Sequence, residues 1–326
     1  MDLTNKIENI ELSKLSKNDL NEYLHNLKDF YLNYENLLNV NEDYTFGCEI
    51  EYRRVDKFFV DKFLKALPKW QSIIEANIVC GGEIVSPILT NNVQDWKELD
   101  TILTYLNFSK AEDFDTGAHI HIGVDILGSD MEAWKNFLYL YVTFENIIYR
   151  FYNGEYINGR EKQNSVAYPI AIEMAKKLKE NEINDNDDLK DILEQVDRFQ
   201  GINFKNVNFD LINDCIYKNT IEIRIPNGTL KKEIWQNNIN FILHLVDACK
   251  NKQLDTEFLT HEINKISEYD NYFKYYKLNI EKALYLADTI FNNNYEKAKF
   301  LVQYYKDGNV RNDSKTVLSR KKLVKN

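Results

Sequence analysis

Proline and glycine are scarce, at 4 and 11 of 326 residues. A chain so poor in both is not loop-rich or intrinsically disordered. No Cys-x-x-Cys pair occurs. The four cysteines, Cys48, Cys80, Cys215 and Cys249, are far apart, which argues against a zinc site, and each sits among apolar neighbours as a reduced core thiol would. Basic residues are in the minority, 41 Lys and Arg against 51 Asp and Glu, so general nucleic-acid binding is not expected. The local exception is Lys315, Arg320, Lys321, Lys322 and Lys325, which read as a solvated basic tail. No apolar run approaches the ~18 residues of a membrane span. The first residues show no basic segment followed by an apolar one, so the expectation is a soluble, cytoplasmic protein.

What the chain does hold is core material. Hydrophobic residues make up 44% of it, and 21 Tyr and 18 Phe dominate the aromatics, enough for one large catalytic domain with helical additions or for two modest domains. Leu15, Leu20, Tyr23, Leu24, Leu27, Phe30 and Tyr31 recur at helical spacing and predict a helical preface over residues 1–41. From Tyr44 the period changes. Strands are expected over 44–53, 72–80, 82–86, 117–124, 204–212 and 219–225, and helices over 57–67, 94–106, 130–152, 165–180 and 231–250. The acidic, Asn-rich stretch 181–191 reads as a surface loop. After Lys252 the pattern is helical again to about residue 306. The order is neither a strict βαβ succession nor an all-β array. It predicts an α+β fold with a mostly antiparallel sheet, one face covered by helices and the other free for chemistry.

Four strand-like segments place polar residues two apart, and side chains two apart on a strand share a face. In Phe46-Gly47-Cys48-Glu49-Ile50-Glu51-Tyr52-Arg53, Glu49, Glu51 and Arg53 share one face. A solvent-facing polar face would look the same. In Gly81-Gly82-Glu83-Ile84-Val85-Ser86-Pro87 a lone carboxylate follows two glycines that permit close backbone approach. In Thr116-Gly117-Ala118-His119-Ile120-His121-Ile122-Gly123, the two imidazoles share a face that the glycines keep clear. In Thr220-Ile221-Glu222-Ile223-Arg224-Ile225-Pro226-Asn227-Gly228, Glu222 and Arg224 share a face, where they could equally be a surface ion pair worth ~0–1 kcal/mol. One face would collect Glu49, Glu51, Glu83, His119, His121, Glu222 and Arg224. Carboxylates so crowded raise one another's pKa unless cations neutralise them. Hard oxygen donors with an occasional imidazole suit Mg²⁺ or Mn²⁺, completed by phosphates.

In this order, FGxExE, GGEIVSPIL, TGAHIHIG and TIEIRIPNGTL resemble the amidoligase branch of the glutamine-synthetase and glutamate–cysteine-ligase superfamily, from about Tyr44 to Cys249. The resemblance implies a glutamine-synthetase-like catalytic domain over 42–250, with a curved sheet, helices on its convex face, and ATP with Mg²⁺ or Mn²⁺ on its concave face. Residues 1–41 and 251–326 would be helical extensions. By position it implies Glu49, Glu51, Glu83, His119 and Glu222 as metal ligands, Arg224 facing the transferred phosphoryl group, and His121 as a substrate or phosphate contact. Arg150 and Arg160 fall near the family's further phosphate-binding arginines. The segment 202–209 resembles the strand before the last motif. Where the family has Asp-x-Ser after a Trp, this chain reads Trp70-Gln71-Ser72-Ile73-Ile74-Glu75, a longer carboxylate.

The reaction implied is amide-bond formation through an acyl-phosphate, from a glutamate-like acid or a peptide and an amine ranging from amino acids and polyamines to proteins. His121, Glu75 and Glu51 all qualify as general base. The glycine-bearing stretch 153–164 has the position of a lid. Two other readings stay open: a phosphotransferase of the guanidino-kinase kind on the same fold, and a nucleotide-binding module without turnover. A metal-dependent hydrolase lacks a separate nucleophile.

Overall fold

The computed structural model describes residues 2–76, 78–153, 167–181, 183–209, 219–271 and 279–305. Among these, seven strands form one curved antiparallel sheet: β1 (Thr45–Arg53), β2 (Gln71–Ile73), β3 (Gly81–Val85), β4 (Leu89–Thr90), β5 (Ala118–Gly123), β6 (Ile202–Asn203) and β7 (Thr220–Ile223). The spatial order is β2-β3-β1-β5-β7-β6, with β4 pairing to the start of β1. The strict period of two in β1 shows as alternating half-buried and buried residues along its whole length. Cys48, Ile50 and Tyr52 therefore face the core with Ile84, Ile120, Ile122, Ile221 and Ile223, all buried. Each such isoleucine contributes roughly 1.5–3 kcal/mol by leaving water.

The helices among the described residues are α1 (Lys17–Asn26), α2 (Lys57–Leu64), α3 (Val93–Phe108), α4 (Met131–Asn153), α5 (Ala171–Glu180), α6 (Asn186–Glu194), α7 (Lys232–Asn251), α8 (Thr256–Ser267), α9 (Ile280–Ile290) and α10 (Asn294–Tyr305). Phe46 of β1 stacks on Trp96 of α3, ring centroids 5.0 Å apart. The hub is α4, packed against α5, α7, α8 and α10. Its Phe151 meets Phe241 of α7 at 4.5 Å and Phe300 of α10 at 5.4 Å. Its fully buried Glu145 accepts the backbone N–H groups of Ile170 and Ala171, at 2.7 and 2.8 Å. That carboxylate supplies the cap that Ile170, itself at the N-cap of α5, has no side chain to give.

The expected α+β architecture is present, but several boundaries differ. Residues 2–15 are not helical beyond one 3₁₀ turn at Leu12–Lys14; they form a strap across α9 and α10. The strap's backbone groups find partners there instead of in a helix. Ile10 N donates to Asn294 Oδ1, Leu12 N and Ser13 N to the Asp288 carboxylate, and the buried Lys297 ammonium donates to Ile10 O. The strand expected at 72–80 stops at Ile73, and that expected at 204–212 is confined to Ile202–Asn203, with 210–212 outside the described residues. The helix expected from 165 begins at Ala171. The supposed loop at 181–191 contains the start of α6, because Asp185 caps it by accepting from Asp187 N and Asp188 N. Asp187 and Asp188 in the first turn complement the helix dipole, and Leu189, Ile192 and Leu193 bury its apolar stripe. Cys48 and Cys249 are core thiols as expected, whereas Cys80 is exposed at φ 57°, at the corner leading into β3. Cys215, Arg160, the basic tail and all but the first residue of the expected lid lie outside the described residues. Among the described residues no helix is long and apolar enough to cross a membrane.

Candidate active site

The register of the sheet assembles the polar residues into rows across the concave face. In one row Gly47, His121, Glu222 and Asn203 lie opposite one another on β1, β5, β7 and β6. In the next, Val85, Glu49 and His119 are aligned on β3, β1 and β5. In the third, Ile73, Glu83 and Glu51 are aligned on β2, β3 and β1. Residues separated by up to 173 positions (Glu49 to Glu222) thus meet because antiparallel pairing keeps each period-two set on one face.

Glu49 is the centre. Its Oε2 lies 2.9 Å from His119 Nδ1 and its Oε1 lies 2.8 Å from His121 Nε2. Burial alone would raise its pKa, but hydrogen bonds to the two imidazoles, and their charge, outweigh burial and hold the carboxyl well below the usual range. Glu222 is clamped at both oxygens: Arg224 donates to Oε1 at 2.5 Å and Asn203 Nδ2 to Oε2 at 2.7 Å. Its Oε1 is also 3.6 Å from His119 Nδ1. His121 Nδ1 in turn rests 3.1 Å from Thr220 Oγ1. Glu51 accepts the Gly117 N–H through Oε2 at 2.5 Å. A Cβ at Gly117 would stand 3.0 Å from Glu51 Oε1 and 3.3 Å from His119 Nε2, so both side chains would have to give by a few tenths of an ångström.

Glu83 differs from these. Its Oε1 is buried with no hydrogen-bond partner, and its carboxyl is pushed up to about 9 by burial first, then by the charge and contact of Glu49 and the charges of Glu51 and Glu75. A buried acid in that position needs either a proton or a cation. Two groups of donors lie close enough to share one ion, Glu49 with Glu83 and His119, and Glu49 with His121 and Glu222, each with its ligand atoms within 4.8 Å of one another. Three carboxylates and two imidazoles form a hard, oxygen-rich set that fits Mg²⁺ or Mn²⁺, so the residues present suit the divalent cation that the sequence motifs imply.

All seven residues expected on this face are on it: Glu49, Glu51, Glu83, His119, His121, Glu222 and Arg224. Glu75 follows β2, near enough for its charge to act on Glu83. Arg150 is 2% exposed in α4, and its Nε donates to the Tyr304 carbonyl of α10 at 3.1 Å, a bond that ties two core helices together. Asn203 and Thr220 were missed. Their residue types carry no motif, and only the pairing of β6 with β7 and of β7 with β5 reveals what they hold.

A family model described as "Putative amidoligase enzyme" matches residues 9–246, well over half of the chain. The chain belongs to this amidoligase family. No curated protein matches it. The matched span begins ahead of β1 and takes in half of the strap and all of α1, then runs through all seven strands into α7. A ligase-type reaction joining a carboxylate and an amine follows from membership in the amidoligase family.

Proposed function

We propose that this amidoligase is ATP-dependent, uses Mg²⁺ or Mn²⁺, and activates its carboxylate substrate as an acyl-phosphate. The observation that carries this reading is Glu49, shared between two three-residue donor groups and backed by the Glu222–Arg224 pair on one face. Glu49, Glu83 and His119 would hold one cation, and Glu49, His121 and Glu222 a second. Divalent cations bound there supply the positive charge that the nucleotide's phosphates require.

The residues around them have separable tasks. Arg224, fixed against Glu222, spreads the negative charge of the γ-phosphoryl group as a substrate carboxylate oxygen attacks phosphorus and ADP leaves. The amine nitrogen then attacks the acyl carbon, inorganic phosphate leaves, and the amine's proton passes to a base. Of the candidates, His121 has both ring nitrogens engaged, by Thr220 and Glu49. Glu51 spends Oε2 on Gly117 and keeps Oε1, and we assign the proton to it. The test is incubation with ATP, Mg²⁺, a panel of carboxylic acids and hydroxylamine, following ADP and hydroxamate together. Acid-dependent ADP with matching hydroxamate supports the reading. A stable phosphorylated product in place of hydroxamate turns it into a phosphotransferase and overturns the ligase.

A further inference from the structure

Strand β1 carries one more charged residue on the concave face than the two cation sites use. Arg53 follows Glu49 and Glu51 at the period of two, one step beyond the row of Ile73, Glu83 and Glu51. Its surroundings are strained. Four non-glycine residues among those described have left-handed backbone, and three of them flank Arg53. Arg54 (φ 65°) is next along the chain, Cys80 (φ 57°) precedes its strand partner Gly81, and Asp115 (φ 54°) meets its guanidinium. The corners are tied together. Arg54 N donates to Cys80 O at 2.6 Å, and Arg53 exchanges both backbone hydrogen bonds with Glu112, at 2.9 and 3.0 Å. Left-handed backbone at a residue with a side chain persists only where its surroundings enforce it, and such residues gather at ligand sites.

The side chain held this way is underpaired. Among the described residues only Nη2 donates, to the Asp115 carbonyl and to its Oδ2, both at 3.2 Å and long for a charge-assisted bond. Nε is buried with no hydrogen-bond partner, while the side chain keeps 26% of its surface exposed. A guanidinium offers five N–H donors in a fork that matches a carboxylate, and most of this fork is unspent.

We infer that Arg53 determines specificity for the acid by holding a second carboxylate of the substrate, at the end away from the one that is activated. The inference rests on the ligase reading above. In-line transfer puts ADP and the acid on opposite sides of the phosphorus. The amine attacks within reach of Glu51, so the acid lies on the side of Glu51 and Arg53. A polyphosphate extended that way would run past Glu51, Glu75 and Glu83, whose charges repel it, whereas a methylene stem carries no charge past them. Length agrees. The cation shared by Glu49, Glu83 and His119 falls between their two rows, about 10 Å along the face from the row of Arg53 at ~3.3 Å per residue. A metal–oxygen bond of ~2 Å, a five-carbon diacid of roughly 6 Å between outer oxygens and a hydrogen bond of ~2.9 Å together span about 11 Å.

The test compares glutarate with its monoamide, 4-carbamoylbutanoate, which has the same length and lacks the second charge. The full chain is assayed beside Arg53→Met and Arg53→Lys. Hydroxamate formation with ATP, Mg²⁺ and hydroxylamine gives kcat and KM, and calorimetry gives acid binding with Mg²⁺ and a non-hydrolysable ATP analogue. We expect the parent to prefer glutarate by about 30-fold or more in kcat/KM. Arg53→Met should bring that preference below about five-fold through the KM for glutarate, with the KM for ATP within about two-fold of the parent. Arg53→Lys keeps the charge, loses the fork and should fall between the two. A parent without preference overturns the inference, and so does a variant that slows both acids alike, the outcome of a purely structural tie to Asp115. A raised KM for ATP with the acid preference intact assigns Arg53 to a nucleotide phosphate and also overturns it. In each of these cases hydroxamate still forms, so the ligase reading survives. Glutarate binding that Arg53→Met weakens at least ten-fold, without ADP release from any of the three proteins, keeps the role of Arg53 and removes the ligase reading. Glutarate neither bound nor consumed overturns the inference. If Arg53→Met fails to fold, the preference of the parent and its fall in Arg53→Lys decide.

Discussion

Two buried polar regions in this molecule look alike in composition and behave in opposite ways. Between α7 and α10 runs a seam of Asn237, Asn238, Asn240, His244, Glu296, Lys299 and Gln303, all buried. There Lys299 lies 3.1 Å from both Glu296 and Glu35, Asn240 donates to Glu296, and Gln303 links Asn237 with Asn238. Burial acts to raise the Glu296 pKa, but the charges of Lys299 and His244 outweigh it, and the carboxyl is held below its ordinary value. On the concave face the balance fails in the other direction. Four carboxylates face one arginine and two imidazoles, and Glu83 is pushed up to about 9 by burial and its acidic neighbours. A region whose charges cancel internally holds the fold together. One whose charges do not cancel is built around a cation from outside.

Breaking the seam gives the largest expected effect. Lys299→Met strands the buried Glu296 carboxylate and leaves half-buried Glu35 with Lys6 alone, and urea unfolding should show a loss of about 3–5 kcal/mol, with activity per folded molecule unchanged. On the face the pattern reverses. Glu49→Gln should lower ADP release by about 10²–10³-fold, roughly 2.7–4 kcal/mol of transition-state stabilisation, while its thermal midpoint stays within a few degrees of the parent. If Glu49→Gln instead unfolds the chain, the contrast between the two regions is wrong.

A third experiment sharpens the seam's side by pH. His244 is brought down from 6.5 to about 4, by burial first and by the nearby lysine charges, against the opposing charges of Glu296 and Asp247. The unfolded chain therefore takes up this proton more readily than the folded one. Its contribution is complete above about pH 6.5 and is lost as pH falls from there toward 4, at about 3 kcal/mol for a shift of this size. His244→Phe should flatten the stability profile in that window and leave the loss due to Glu296, which falls below its ordinary 4.5, in place. The smallest effect is expected at Asn203. Asn203→Ala frees Glu222 Oε2, and Mn²⁺ affinity measured by calorimetry should weaken by about 10–100-fold, with Asn203→Asp no better, since it places a carboxylate against a carboxylate.

What the sequence made legible follows from period. Glu49 with Glu51, His119 with His121, and Glu222 with Arg224 are each two apart, and a strand puts such pairs on one face whatever its partners are. The cross-strand half of the site was not legible. Asn203 meets Glu222 across 19 residues and Thr220 meets His121 across 99, and register is written in no local pattern. The misread ends have local causes. Asp185 begins a helix that its Asn- and Asp-rich neighbourhood disguised as a loop, while the helical spacing at the front of the chain is realised at Leu20, Tyr23 and Leu24 of α1 and not in the strap, whose Leu12 is buried where its 3₁₀ turn packs on α9.

That strap has a consequence for how the chain comes into being. Its hydrogen bonds join Ile10 to Asn294, Leu12 to Asp288 and Lys297 to Ile10, across 284, 276 and 287 residues. On a ribosome adding about 5–20 residues each second, the strap must wait on the order of tens of seconds for the helices that will hold it. Every strand of the sheet emerges in the meantime. The strap is therefore among the last parts to find its place, and its apolar residues stay open to a nascent-chain chaperone until α9 and α10 are made.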